Sequence, residues 1–475
     1  MKLRIENSFT TIEDFLPTEL KIVTLVLTYI DAQKEREKQA LFMAYNKAMA
    51  RGYRRKAAFI AAKLATIGEC EVCLLQDNKF PTGLLTKVTD ALDKALSIPK
   101  YEGRVLKYEL QDDRAVTLPD QIYRWYNEPP PLRPYQQTCL ELALAKNRGT
   151  FECAVGSGKT LIAANIIKDL GVKTLFVVPS TALLEQTTNL FSLYFGKDKV
   201  QSVSTLQIKN AKKLKPIRIA TIQTVASLQK QGLLSYLVDD IDMVMLDEAH
   251  HGGANSYINL LPAINHVFYR FNFSGTYTRN DSKIMELWGV CGECLFQYNA
   301  SDAIKDGYLT PVNFKIVRLK GRSGGMYAEE YTDNYGSKEF LDAIVAQVNS
   351  IPADKSILIL VDRKEAVGHQ IRDWLKVNGI ESTYMTGDNN KDDIREAIEN
   401  FNDKKIRVFI ASQILSEGVD IRSTDVLILG RGGKSDIAIT QAIGRSVRLY
   451  PGKKEAIVID FEFIEPYEKL YLFKN

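Results

Sequence analysis

The chain is expected to be an α/β protein: two tandem lobes on parallel sheets, preceded by a small α+β N-terminal domain. Three observations carry that expectation. Eight short apolar runs alternate with helical patterns: "TLFVVPS", "IRIATIQ", "DMVMLDE", "RFNFSGT", "SILILVD", "RVFIAS", "DVLILG" and "EAIVIDF". Continuous β-branched runs separated by helices mark parallel strands buried on both faces. The proline cluster "NEPPPLRP" at 127–134 suits neither a helix nor a central strand, so it punctuates the chain. Finally, "SDAIKDGYLTPVNF" at 301–314 divides the eight runs into two sets of four. The length, 475 residues, leaves room for about three domains at roughly 150 residues each.

Ahead of the prolines, "LKIVTLVLTYI" and "ECEVCLLQ" read as strands and "TGLLTKVTDALDKAL" as an amphipathic helix. Between the two strands, 32–66 is helix-rich and holds "RGYRRKAAFIAAK", five basic residues with no acid. That run is either a solvated helix face or a contact to phosphates. Beyond 314, "GRSGGMYAEEYTDNYG" reads as a loop of the second lobe.

Composition sets outer bounds. Apolar residues make up 45% and charged residues 25%, and net charge is only +4. A nucleic-acid footprint must therefore be local. No apolar run is long enough to span a membrane, and "MKLRIENSFTTIEDF" is too polar for a signal peptide. A cytoplasmic location with reduced cysteines is expected. Two CxxC pairs, Cys70/Cys73 and Cys291/Cys294, allow a four-thiolate zinc site. Their separation and strand-like setting, which sends odd-spaced side chains to opposite faces, favour packing cysteines.

Three stretches carry chemistry. "VGSGKT", 155–160, lies between the strand-like "GTFECA" and the helical "TLIAANIIKDL". In that setting backbone N–H groups and a helix N-terminus wrap phosphates. Gly156 and Gly158 allow close approach. Lys159 would reach the β/γ-phosphates and Thr160 would place its hydroxyl on Mg²⁺. The strict pattern has glycine at 153, where this chain has Cys153. "VMLDEAH", 244–250, is an apolar strand ending in two carboxylates. Asp247 would hold Mg²⁺, and Glu248 would orient and polarise the attacking water. "QAIGRSVR", 441–448, sits on an expected helix capped by Ser435 and spaces Arg445 and Arg448 by three residues. The pair is either a solvated basic face or a pair of charges that stabilise a γ-phosphate when the lobes close.

In this order the motifs resemble superfamily 2 helicases and translocases over residues 130–465. "LRPYQQ" resembles the family's adenine-reading segment, with Gln136 as reader, and "CAVGSGKT" its motif I, which includes Ser157. "VVPSTALLEQ" and "IATIQT" resemble motif Ia and the nucleic-acid motif after it. "DEAH" and "SGTYTR" resemble motifs II and III, the latter with Tyr277 where proline often stands. In the second lobe "ILVDRKEA", "TGD", "IASQILSEGVDI" and "QAIGRSVR" match motif IV, the next turn, motif V and motif VI.

The resemblance implies two RecA-like lobes, at 129–307 and 308–475, hydrolysing ATP with Mg²⁺ to move along nucleic acid. It implies that Gly418 and Asp420 face the nucleotide and Gln441 the γ-phosphate. Pro179, Ser180, Thr181, Thr224, Arg363 and Ser412 would lie along the nucleic-acid track, where phosphate contacts give grip without sequence preference. The small domain at 1–128, with "FPTGLL", and the compact motor resemble phage branch-migrating helicases of the UvsW kind. That likeness implies a monomeric DNA motor acting on forks and junctions, in host cytoplasm if phage-encoded. On that reading Arg51, Arg54, Arg55 and Lys56 would grip duplex DNA at a branch point. The alternatives are a duplex translocase that never separates strands and an RNA helicase. A nucleotide-gated clamp without turnover would require a lost catalytic residue, yet Lys159, Asp247, Glu248, Arg445 and Arg448 are all present.

Overall fold

The computed structural model describes the chain outside residues 51–52, 68–69, 100–101, 104, 106, 117–122, 211–213, 249–257, 276–283, 322–332, 362–364, 413–420, 422, 432–442, 445–448, 451–452 and 465–475, and outside the side chains at 33, 55, 56, 209, 210, 365, 366 and 391. Contacts divide it into two units. One comprises Met1–Glu152 with Thr160–Gln297, the other Cys153–Lys159 with Tyr298–Asn475.

The first unit opens with six short strands: β1 (Lys2–Ile5), β2 (Phe9–Glu13), β3 (Thr28–Ile30), β4 (Glu71–Cys73), β5 (Lys79–Pro81) and β6 (Glu109–Asp112). Four of them form a sheet in the order β5-β2-β1-β6, antiparallel except for the parallel pair β1–β6. The strands β3 and β4 pair separately and carry a helical hairpin, Ala32–Ala50 and Arg54–Thr66, between them. This hairpin has a slender core of Ala48, Ala57 and Ile60, flanked by Leu41, Tyr45 and Leu64.

The expected strand "LKIVTLVLTYI" is instead a helix, Pro17–Val26, followed by β3. Its β-branched residues favour a strand, but local hydrogen bonding outweighs them. Pro17 stands at the first turn, and the Glu19 carboxylate accepts from the Leu16 amide at 2.8 Å. The Thr24 and Thr28 hydroxyls donate to carbonyls four residues back, Leu20 O at 2.8 Å and Thr24 O at 2.7 Å. Glu19, Val23 and Leu27, four apart, form the buried stripe. The expected helix "TGLLTKVTDALDKAL" is present at Leu85–Leu96, burying Val88, Leu92 and Ala95.

Seven strands follow: β7 (Arg148–Cys153), β8 (Thr174–Val178), β9 (Val200–Ser202), β10 (Ile217–Thr221), β11 (Met243–Asp247), β12 (Tyr269–Ser274) and β13 (Cys294–Tyr298). They form one sheet in the order β13-β7-β12-β11-β8-β10-β9, parallel from β7 through β9. Every residue of β8, β10, β11 and β12 is buried, as strands covered on both faces require. In the second unit a six-stranded parallel sheet repeats the plan. Its strands are β14 (Val312–Lys320), β15 (Ile357–Val361), β16 (Thr383–Met385), β17 (Val408–Ser412), β18 (Val426–Gly430) and β19 (Ala456–Ile464), in the order β14-β19-β18-β15-β17-β16. All eight apolar runs are strands of these two sheets.

Of the cysteine pairs, Cys73 and Cys294 lie on β4 and β13 as the strand reading expects, and Cys70 directly precedes β4. Cys291 ends the helix Ile284–Cys291 and is fully buried, whereas Cys70, Cys73 and Cys294 are half-buried. Burial pushes the thiols of Cys291 and Cys294 up to about 12. Among the described residues no group of three or more His, Cys, Asp or Glu could hold a metal ion. Among them, too, no helix is long and apolar enough to cross a membrane.

Candidate functional site

In a parallel sheet the loops after the strands gather on one edge, where ligands bind. Strands β7 and β11 are separated by β12 and parallel to it, so their C-terminal ends share that edge. The loop after β7 is "VGSGKT". Gly156 and Gly158 have φ of 84° and 80°, the left-handed region that glycine enters without a steric penalty. The Ser157 amide donates to Ala154 O at 3.1 Å, closing a tight turn, and the Ser157 side chain is buried. Lys159 opens the helix Lys159–Leu170, and its Nζ donates to Cys153 O at 3.3 Å, across the base of its own loop. Thr160 follows on the first turn, partly exposed. Cys153 is fully buried beneath this loop, packing where the strict motif has a glycine.

Within the second unit Val155 of the loop lies against Gly444. A Cβ on Gly444 would come within 2.5 Å of the Val155 Cβ, so glycine is what allows this approach. Gln441, Arg445 and Arg448 lie outside the described residues, as do Gly418, Asp420 and Arg363.

Strand β11 ends at Asp247, which is buried, and Glu248 follows at φ 47°. A left-handed glutamate is uncommon, and two bonds to the neighbouring strand hold it there. The Glu248 amide donates to Phe273 O at 2.8 Å, and the Gly275 amide donates to the Glu248 Oε2 at 3.0 Å. The carboxylate of "DEAH" is thus held by the backbone of "SGTYTR". The sequence names both stretches but not this bond, because a backbone donor has no residue signature.

Gln136 is buried on the helix Pro134–Lys146, and its Oε1 accepts from the Arg133 amide at 2.9 Å, capping the helix. The two stretches nominated for nucleic acid form neighbouring helix starts after the adjacent parallel strands β8 and β10. Ser180 caps the helix Thr181–Phe195, its hydroxyl accepting from the Leu183 amide at 3.3 Å. Thr221, inside "IATIQT" but not among the expected track residues, caps Ile222–Lys230 by accepting from the Thr224 amide at 3.1 Å. The two hydroxyls of Thr221 and Thr224 also bond each other at 3.0 Å. A threonine at a strand end three residues before another is a readable cap signal. Gln223 Nε2 donates to Pro179 O at 3.1 Å, tying the two starts together. Helix N-termini with exposed amides suit phosphates. Ser412 ends β17 in the second unit and is buried.

Of the basic N-terminal candidates, Arg54 is exposed at the start of its helix. Residues 55 and 56 lie on that helix, and Arg51 lies outside the described residues.

Comparison with known proteins follows the same division. Residues 130–279 match the family described as "Type III restriction enzyme, res subunit", and residues 338–450 match the "Helicase conserved C-terminal domain". The chain is 26% identical over 342 residues to "Putative helicase 22" of Sulfolobus islandicus filamentous virus, covering 66% of this chain and 60% of that protein. It is 24% identical over 349 residues to "ATP-dependent DNA helicase uvsW" of Enterobacteria phage T4, covering 69% of this chain and 67% of the relative. Among solved structures, the helicase MrfA bound to DNA has the same fold, with a TM-score of 0.54 at 14% identity, covering 73% of this chain and 50% of that one. The chain thus spans about 60% of the first relative's length. The first parallel-sheet region thus carries the restriction-subunit match and the second the helicase C-terminal match, and the chain is similar to the helicases named here.

Proposed function

We propose that the protein is an ATP-dependent DNA helicase that moves on and remodels forked or branched DNA. The observation that carries this reading is the shared edge of one parallel sheet. A glycine loop with two left-handed residues and the Asp247–Glu248 pair follow strands that end there. The residues fit a nucleotide with its metal. The loop amides and the start of Lys159–Leu170 suit phosphates, and Thr160 and Asp247 supply the oxygen ligands that Mg²⁺ prefers. When bound, Mg²⁺ neutralises charge on the β- and γ-phosphate oxygens. Lys159 would bind those oxygens, Gln136 would read the base, and Gly418 and Asp420 would border the nucleotide. Glu248, fixed by Gly275, would orient the attacking water and take its proton. Gln441, Arg445 and Arg448 would meet the γ-phosphate, and the contact of Gly444 with Val155 supports bringing that stretch to the loop.

Pro179, Ser180, Thr181, Thr224, Arg363 and Ser412 would follow the nucleic-acid backbone. The helical hairpin would hold the branch. Residues 32–66 contain nine Lys or Arg against two Asp or Glu, net +7, so the remaining chain is net −3. Arg36, Lys38, Lys47, Arg54 and Lys63 are exposed on it, beside exposed Phe42, Met43 and Phe59. Cations for phosphates and rings for bases, on one projection, fit a DNA contact. We place the accessory domain at 1–128 and the two motor lobes at 129–307 and 308–475, acting as a monomer.

The deciding measurement is ATP turnover with single-stranded DNA, duplex DNA, forked DNA and single-stranded RNA. Strongest stimulation by the fork is expected. A second reading, duplex translocation without strand separation, is favoured by the restriction-subunit match of residues 130–279. Equal stimulation by plain duplex would support it. A preference for RNA would overturn the substrate while leaving the motor.

A further inference from the structure

The N-terminal region is bonded to the first parallel-sheet region through β12 and through the helix Ile284–Cys291. On β12, Arg270 is fully buried, and its Nη2 donates to Ser8 Oγ at 2.7 Å and to Ile264 O at 2.7 Å. Ser8 is itself buried and donates to Leu261 O at 2.7 Å, while its amide donates to Asn265 Oδ1 at 3.2 Å. The neighbouring Asn7 accepts from Arg148 Nη2 at 2.7 Å through its carbonyl, and its Nδ2 donates to His266 O at 3.2 Å. On the helix Ile284–Cys291, the Tyr29 hydroxyl bonds the buried Glu286 carboxylate. Gly83 of "FPTGLL" abuts the same helix so closely that a Cβ would lie 1.9 Å from Trp288 O. A Cβ on Gly289 would lie 2.9 Å from Pro81. The glycine of "FPTGLL" therefore has a docking role, which sequence reading left open.

The same strand governs the proposed water-orienting residue. Phe273 O and the Gly275 amide both bond Glu248 in its left-handed position. Arg270 lies on β12 five residues before Gly275, which directly follows the strand's last residue, about 16 Å at roughly 3.3 Å per residue. A displacement of the N-terminal region would pull on Arg270 directly and on the helix Ile284–Cys291, which packs against β12, and so on the strand whose Phe273 carbonyl bonds Glu248.

We propose that Ser8 and Tyr29, with Gly83, make the N-terminal domain a positioning element for Glu248, so that DNA held by that domain raises turnover through β12 and the helix after it. This rests on Glu248 being the water-orienting residue. Ser8 and Tyr29 touch neither nucleotide nor reacting atoms, and act through Arg270 and Glu286.

The test uses the full chain carrying Ser8→Ala and Tyr29→Phe, singly and together, so that a stable variant exists even if the pair unfolds. ATP turnover is measured without DNA and at saturating forked DNA, with fork affinity measured in parallel. Glu248→Gln is assayed alongside. The expected result is basal turnover and fork affinity within about twofold of the parent, with DNA-stimulated kcat reduced at least about fivefold. Glu286→Gln, which keeps an acceptor for Tyr29, should retain most of the stimulation. Undiminished stimulation in the variants, or an equal fall in basal and stimulated rates, overturns the positioning role. So does a loss that vanishes when fork DNA is raised to saturation. Near-normal turnover by Glu248→Gln overturns the catalytic reading itself, and the positioning role with it. An inactive Glu248→Gln beside fully stimulated Ser8→Ala and Tyr29→Phe overturns the positioning role alone.

Discussion

At the scale of single residues, strained and buried groups set the sharpest expectations. Glu248→Gln keeps the hydrogen bond from Gly275 but not the charge, so it should retain ATP binding and lose turnover by at least about 100-fold. Single-turnover kinetics with a separate binding assay would check this. On the proposed reading Arg445→Ala should slow hydrolysis by about a thousandfold or more, because an arginine at the γ-phosphate acts on transition-state charge. Lys453 provides a pH signature. Burial lowers its amine from the ordinary 10.5 to about 8, with Lys355 and Lys404 adding to the effect and Asp425 opposing it. The unfolded chain therefore binds this proton more tightly than the folded protein. Stability should rise as pH rises from about 8 to about 10.5 and lose that gain below 8. Thermal midpoints across that window should show a smaller rise in Lys453→Met than in the parent.

At the scale of elements, caps and local hydrogen bonds decide what periodicity leaves open. "LKIVTLVLTYI" has the composition of a strand, yet Pro17, Glu19 and the two threonine hydroxyls commit most of it to a helix. Side chains that bond the local backbone outweigh β propensity, which itself depends on the neighbours a strand finds. The parallel strands were legible because burial on both faces removes any polar alternation. Thr221 serves as both the last residue of β10 and the cap of the following helix. Thr221→Ala should lower stability by about 1 kcal/mol in denaturant titrations. It should also free the Thr224 amide and hydroxyl, both now bonded to Thr221.

At the scale of the whole molecule, charge is concentrated instead of spread. A chain of net +4 places net +7 on residues 32–66, so fork binding should depend on salt chiefly through the hairpin. Replacing Arg51, Arg54, Arg55 and Lys56 by alanine should weaken fork affinity and reduce the slope of log K against log salt by about one per lost phosphate contact. An unchanged slope would leave these side chains as a solvated face. The sequence by itself determined the two parallel-sheet lobes, the glycine loop and the "DEAH" carboxylates. Each depends on local geometry: left-handed glycines, a helix start, an apolar strand ending in acids. Only the tertiary structure decided that Glu248 hangs from the amide of Gly275, that Gly444 admits Val155, and that Gly83 and Ser8 meet Trp288 and Arg270. Those contacts join residues tens to hundreds of positions apart, often through backbone atoms or a missing Cβ. Such groups look alike in every sequence, and only packing selects which of them meet.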